Sequence, residues 1–189
     1  MIGAQSPMLR LLRRLRRDRR GSALVEFALT LPVLILLGIG GLDFVTYLLL
    51  QQKLQNAAFS LADLAARDKT LSVAQLDNIF MSVQHVTRPF DFAANGRATV
   101  TGISATADNK PKVYWQRSGA GSINAASRIG SPGGNATLPK DLSIKAGETI
   151  IAAELTYDFE PLFGIVLRPT RLHHSTFVKP RLGALQQLD

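Results

Sequence analysis

The stretch from Ser22 to Leu50, SALVEFALTLPVLILLGIGGLDFVTYLLL, constrains this chain more than any other, because Glu26 and Asp43 are its only charges. As a helix it would be about 43 Å long at about 1.5 Å per residue. A bilayer's hydrocarbon core needs about 20 such residues. The apolar region of a secretory signal is shorter, about 7–15 residues. The competing reading is a buried core helix, but a soluble fold seldom hides so long a run with so little charge. The stretch therefore predicts one membrane-spanning helix.

The charge distribution orients it. The chain carries 22 Lys and Arg against 14 Asp and Glu, a net +8 over 189 residues. Seven arginines (10, 13, 14, 16, 17, 19 and 20) and one acid, Asp18, precede the apolar run, so the excess is concentrated in a tail. A nucleic-acid-binding domain would need its charge on the fold, and no nucleic-acid partner is expected. Basic residues near a span mark the cytoplasmic side. Beyond it the nearest are Lys53, Arg67 and Lys69. The N-terminus should therefore be cytoplasmic and residues after about 50 should face outward. The absence of cysteine excludes disulfides, thiolate catalysis and cysteine-ligated zinc.

Three features inside the span need a reason. Pro32 removes a backbone donor and should bend the helix, which membrane helices tolerate where neighbours re-satisfy the freed carbonyl. Gly38, Gly40 and Gly41 would each cost about 1 kcal/mol relative to Ala in water. In lipid, small residues let helices approach closely; the other reading is a flexible spot without a partner. Glu26 is an acid at the entrance of an apolar run, where an ionised carboxylate is expensive. A cut between Gly21 and Ser22 would create an α-amino group one helical turn before it, and the two charges would neutralise each other within a chain or between chains. The alternative is that Glu26 snorkels to the headgroups.

The order of these residues, Arg19-Arg20-Gly21-Ser22-Ala23-Leu24-Val25-Glu26-Phe27 and then an unbroken apolar helix, resembles a type IV prepilin processing site. More narrowly, GSALVEFALTLPVLILLGIGGLDF resembles the TadE-like family of minor pseudopilins, from the tight-adherence (Flp pilus) secretion systems of bacteria. The resemblance implies that a prepilin peptidase removes the leader, that Gly21 is the last leader residue and Ser22 the first mature one, and that Glu26 is the fifth mature residue. Phe27 stands where the major pilins of these systems usually have Tyr, which keeps the ring and loses the hydroxyl. The implied partners are inner-membrane lipid, other pilins and pseudopilins, the prepilin peptidase and pilus assembly platform proteins. The implied location is the bacterial inner membrane, with the C-terminal domain periplasmic or built into a pilus. No cofactor is implied.

The helical pattern continues past the span. Leu50, Leu54, Ala57, Leu61 and Leu64 form a one-sided stripe, predicting one long helix to about Arg67 whose second half packs on a domain or another helix. The segment QQKLQNAAFSLADLAAR also resembles the family's alanine-rich extension. Gly38 and Gly41 in lipid, with Leu50, Leu54, Ala57 and Leu61 beyond it, are the candidate helix-packing positions. Ser72 and Gln75 make a capping box for a helix bearing Val73, Leu76, Phe80 and Val83, ended at Arg88-Pro89. From about 97 the period becomes two. Strands are expected at 97–107, 111–117, 149–159 and 170–178. On the third, Ile151, Ala153, Leu155, Tyr157 and Phe159 face one way and Glu154, Thr156 and Asp158 the other. The expected fold is α+β: a long N-terminal transmembrane helix extends into an outward domain whose antiparallel sheet packs on it. The divisions are a basic leader 1–21, a span 22–50, a helix extension 51–70 and a periplasmic domain 71–189 with a flexible loop at 118–139. ELTYDFEPLFG and the last strand also resemble the end of TadE-like domains.

No catalytic constellation emerges. His173 and His174 are adjacent on a strand and point to opposite faces. His85 lacks HExxH spacing, and no GxSxG elbow or phosphate loop is present. Asp141-Leu142-Ser143-Ile144-Lys145 begins like a DxSxS metal motif but ends in Lys145. Asp158 and Glu160 read as solvated rather than paired for catalysis. Tyr114 and Trp115 serve either core packing or an interface. The reading is a minor pseudopilin, a structural part and not an enzyme. The alternatives are an uncleaved single-pass protein whose outer domain binds a ligand through 118–139, and an anchored hydrolase.

Overall fold

The computed structural model describes residues 20–67 and 70–180. The arginine leader, apart from Arg20 and Gly21, lies outside the described residues, as do Asp68 and Lys69. The fold is α+β, a long apolar helix followed by a four-stranded antiparallel sheet that packs on its second half.

Helix α1 runs from Arg20 to Ala65 as 46 continuous residues and passes through Pro32. Thr30, just before the proline, donates its hydroxyl to the Glu26 carbonyl at 2.9 Å. The helix ends slightly before the expected Arg67, and so short of the extension boundary at 70. Ala66 and Arg67 form a turn instead, closed by Ala66 N–H to the Ala62 carbonyl at 3.0 Å. Helix α2, Val73–Val86, opens with the expected capping box. The Ser72 hydroxyl accepts from Gln75 N–H at 3.2 Å, and the Gln75 side chain accepts from Ser72 N–H at 2.8 Å. Leu76, Phe80 and Val83 are buried as their spacing predicts, whereas Val73, in the first turn, lies outside the contact. A one-turn helix α3, Phe92–Asn95, was not expected. Asp91 caps it by accepting from Ala94 N–H at 3.1 Å, and Phe92 fills the core.

The strands are β1 (Gly96–Ala105), β2 (Pro111–Gly119), β3 (Thr149–Phe159) and β4 (Thr170–Val178), in the order β2-β1-β3-β4. The last two coincide with the sequence expectation. β1 stops two residues early because Thr106 N–H turns to the Lys110 carbonyl at 3.0 Å, with Asn109 in a left-handed conformation.

The two faces of the sheet have different covers. Ala98, Val100, Ile151, Ala153, Leu155 and Trp115 pack with Leu50, Leu54, Ala57 and Leu61 of α1 and with Leu76 and Phe80 of α2. Ile103, Val113, Ile150 and Ala152 face the other way, under Ile129, Ala136 and Ile144 from the long irregular stretch between β2 and β3. A bulge in β2 makes this division possible. Gly102 pairs with Trp115 and Ile103 with Val113, leaving Tyr114 unpaired and exposed. Without that extra residue Val113 and Trp115 would share a face. The segment 118–139, expected as a flexible loop, thus lies across the sheet and buries Ile129 and Ala136.

Candidate functional site

Among the described residues, the first half of α1 touches almost nothing. Leu24, Phe27, Leu34 and Leu37 are exposed, Leu24 by 73% and Leu37 by 66%. Further along the same helix Leu50, Leu54, Ala57 and Leu61 are completely enclosed by the domain. One uninterrupted helix therefore has an apolar surface with no protein cover, then a surface sealed by its own sheet. The first part is long and apolar enough to cross a membrane. Glu26 lies on the exposed part, and no ion pair reaches it among the described residues. Gly21 and Ser22 lie in its first turns.

Of the three glycines, Gly38 and Gly41 face open space within one chain. Gly40, named with them but not among the candidate helix-packing positions, is the one in contact. A Cβ there would stand 2.7 Å from Val166 Cγ2. Val166 belongs to the β3–β4 connection, which folds back against the helix. One turn later Asp43, fully buried, accepts the backbone N–H groups of Phe163 and Gly164 at 3.1 Å each. The acid thus binds donors that no strand supplies, and its own charge gains two hydrogen bonds. Gly164 has φ 66°, a left-handed conformation natural to glycine, and turns the chain directly after the two bound amides.

Further up the junction, the Tyr47 ring meets Phe159 edge-on at 5.4 Å. Gln51 donates to the Tyr47 hydroxyl at 2.8 Å and accepts from His174 Nε2 on β4. Burial pushes the His174 imidazole below its ordinary pKa, and His173 beside it adds to the effect. His173 points to the opposite face, as strand alternation requires, where its Nε2 meets Glu154 Oε1 at 3.1 Å.

The alternation of β3 sets Glu154 opposite its apolar face. It is buried there, because the 120–145 stretch covers the face. Burial alone would raise its carboxyl, but hydrogen bonds from His173, Ser127 and Arg128 N–H hold it below the usual range. Ser127, Glu154 and His173 are the residue types of a hydrolytic triad, but in the wrong order. The serine donates to the carboxylate and not to the imidazole, so the histidine is not placed to take its proton. The group fastens the covering stretch to the sheet. Asp158, in turn, is held by Arg171 through two hydrogen bonds of 2.6 and 2.7 Å, not paired with Glu160. His85 lines a shallow hollow with Arg88, Phe90 and Asp91. Trp115 is buried in the core, whereas its neighbour Tyr114 is exposed. Among the described residues no three His, Cys, Asp or Glu side chains gather to hold a metal.

Residues 21–63 match the model of a family described as TadE-like protein, which bears out, over that segment, the resemblance seen in the sequence. Curated proteins and solved structures give no match.

Proposed function

We propose that this chain is a minor pseudopilin of a tight-adherence pilus or secretion machine, a structural component and not an enzyme. The observation that carries this reading is the divided helix: an uncovered apolar half that begins at a prepilin-like junction continues without interruption into the core of a sheet domain. The TadE-like match covers that same helix and suggests a protein associated with Tad pili.

In this reading the arginine leader keeps the N-terminus in the cytoplasm while α1 spans the inner membrane and the sheet domain stands in the periplasm. A prepilin peptidase then cuts after Gly21. Cleavage frees the α-amino group of Ser22, and Glu26 lies one helical turn further on, where a carboxylate in lipid gains most from a cationic partner. The partner amine belongs to the same chain or to a neighbouring pilin. Gly38 and Gly41, open within a single chain, are the points at which another apolar helix approaches most closely. Phe27 contributes a ring to that packing. Leu50, Leu54, Ala57 and Leu61 are spent on the chain's own core, so lateral contacts above the membrane fall to other surfaces, such as those offered to assembly platform proteins.

Intact mass or N-terminal sequencing of protein extracted from membranes is the direct test. The expected first residue is Ser22, and Gly21→Val should leave the leader attached. A mature protein that retains its arginine tail would overturn the processing step and favour the uncleaved membrane-anchored binding module.

A further inference from the structure

The β3–β4 connection is an unusual loop. Pro161 to Leu167 reads PLFGIVL, without a charge or a polar side chain. Leu162 is 74% exposed and Val166 61%, with Phe163 and Ile165 about half exposed. A water-facing turn of this length normally carries polar residues, and adjacent exposed apolar side chains mark a surface with an apolar partner.

The position of the loop identifies that partner. Asp43 and Gly40 hold it beside α1 at a level where the helix itself still exposes Leu42, Phe44 and Val45. From Ser22 to Asp43 the helix rises about 32 Å at about 1.5 Å per residue, close to the roughly 30 Å of a hydrocarbon core. The loop thus lies alongside the last part of the apolar span and extends its surface sideways. Irregular backbone is costly in lipid unless its polar groups are satisfied, and an acid there is costly unless it is paired. Asp43 accepts two of the loop's amides, those of Phe163 and Gly164, and this pairing lowers both costs. Arg168 follows directly and is exposed, as expected of a basic residue at the headgroup level.

We propose that the 161–167 loop is a second membrane contact, dipping Leu162, Phe163, Ile165 and Val166 into the acyl chains of the leaflet on the domain's side. The occupant of this apolar surface is lipid. This rests on the reading that α1 spans the bilayer. The loop then fixes the tilt and rotation of the sheet domain on the membrane, which a lone helix would leave free.

The chain has no cysteine, so single-cysteine variants can each carry one environment-sensitive fluorophore. Full-length protein with Leu162→Cys, Leu34→Cys or Asp108→Cys would be placed in vesicles of phosphatidylethanolamine and phosphatidylglycerol. Residue 108 lies in the β1–β2 turn, at the far end of the sheet from the loop. Blue-shifted emission, quenching by chain-labelled nitroxide lipid and protection from iodide are expected at 162, as at 34, and the reverse at 108. A label at 162 open to iodide, while 34 is quenched by lipid, would overturn the loop contact and leave the span intact. A label at 162 shielded from both quenchers, but sensitive to protein density, would replace lipid with a second copy of the chain. An aqueous label at 34 would remove the spanning helix and this inference with it. Val166→Cys repeats the test should Leu162→Cys disturb the turn.

Discussion

Asp43 and Gly164 stand 121 positions apart in sequence, yet the carboxylate of one accepts the amide of the other at 3.1 Å. Phe163 N–H reaches the second carboxylate oxygen at the same distance. This pairing ties the exit of β3 to the helix, and it gives a charged residue in an apolar run a structural use.

Asp43→Ala removes both acceptors and leaves two amides without partners. Hydrogen bonds to a charged group contribute about 1.5–3 kcal/mol each, so the loop should detach well before the sheet unfolds. Amide hydrogen exchange at Phe163 and Gly164 in detergent should accelerate strongly in Asp43→Ala. It should accelerate less in Asp43→Asn, which keeps one acceptor. Unchanged exchange in both variants would mean that Asp43 does not hold the loop.

Gly102 tests the bulge. A Cβ there would lie 2.2 Å from Trp115 Nε1, and the ring, buried between sheet and helices, has little room to yield. Gly102→Ala should destabilise the domain by about 1–3 kcal/mol, the usual cost of overpacking. Thermal unfolding would report it, and the emission of the single tryptophan should shift as the ring is displaced.

The two halves of α1 should respond oppositely to truncation in detergent. Leu54→Ala opens a cavity between helix and sheet and should cost about 2–5 kcal/mol. Leu34→Ala, on the uncovered half, should leave the melting temperature of the domain nearly unchanged. Equal effects would contradict the division of the helix into covered and uncovered parts.

Acidification should weaken the domain in two stages. His174, bonded to Gln51 of α1 and flanked by His173, has its pKa lowered by burial. The unfolded chain therefore binds the proton first. Stability is complete above the ordinary histidine value of about 6.5 and declines as pH falls through it toward the folded value. Glu154 has a lowered carboxyl pKa despite burial, because of its His173, Ser127 and Arg128 partners. Its contribution is present above about 4.3, the unfolded value, and is lost as pH falls toward the folded one. Melting temperature against pH should show both steps. His174→Gln should flatten the upper one, and Glu154→Gln the lower.

What could be read in advance was local. The capping box at Ser72 and the alternation of Ile151 through Phe159 each depend on a few neighbouring residues, and both recur in the structure. The stripe Leu50, Leu54, Ala57, Leu61 was legible for the same reason, though Ala58, Ala62 and Ala65 widen it and Leu64 sits at its margin. What escaped depends on distant partners. The burial of Glu154 could not be read, because a strand's pattern does not reveal that an irregular segment will cover its second face. Ile150 and Ala152 beside it were the available signal, since a half-solvated strand would alternate more cleanly. Pro161 and Gly164 are turn residues, but the sequence alone does not say what the apolar residues between and after them face. Asp43 was noted as a charge, and its partner could not be guessed from a position 121 residues away.

The unbroken course of α1 has a mechanical consequence. The β3–β4 connection grips this rod at Asp43 and β4 grips it at Gln51, so there is no swivel between the uncovered stem and the domain. A torque on the stem must turn the domain by the same angle, so in the proposed assembly the orientation of the domain would report how the stems are arranged.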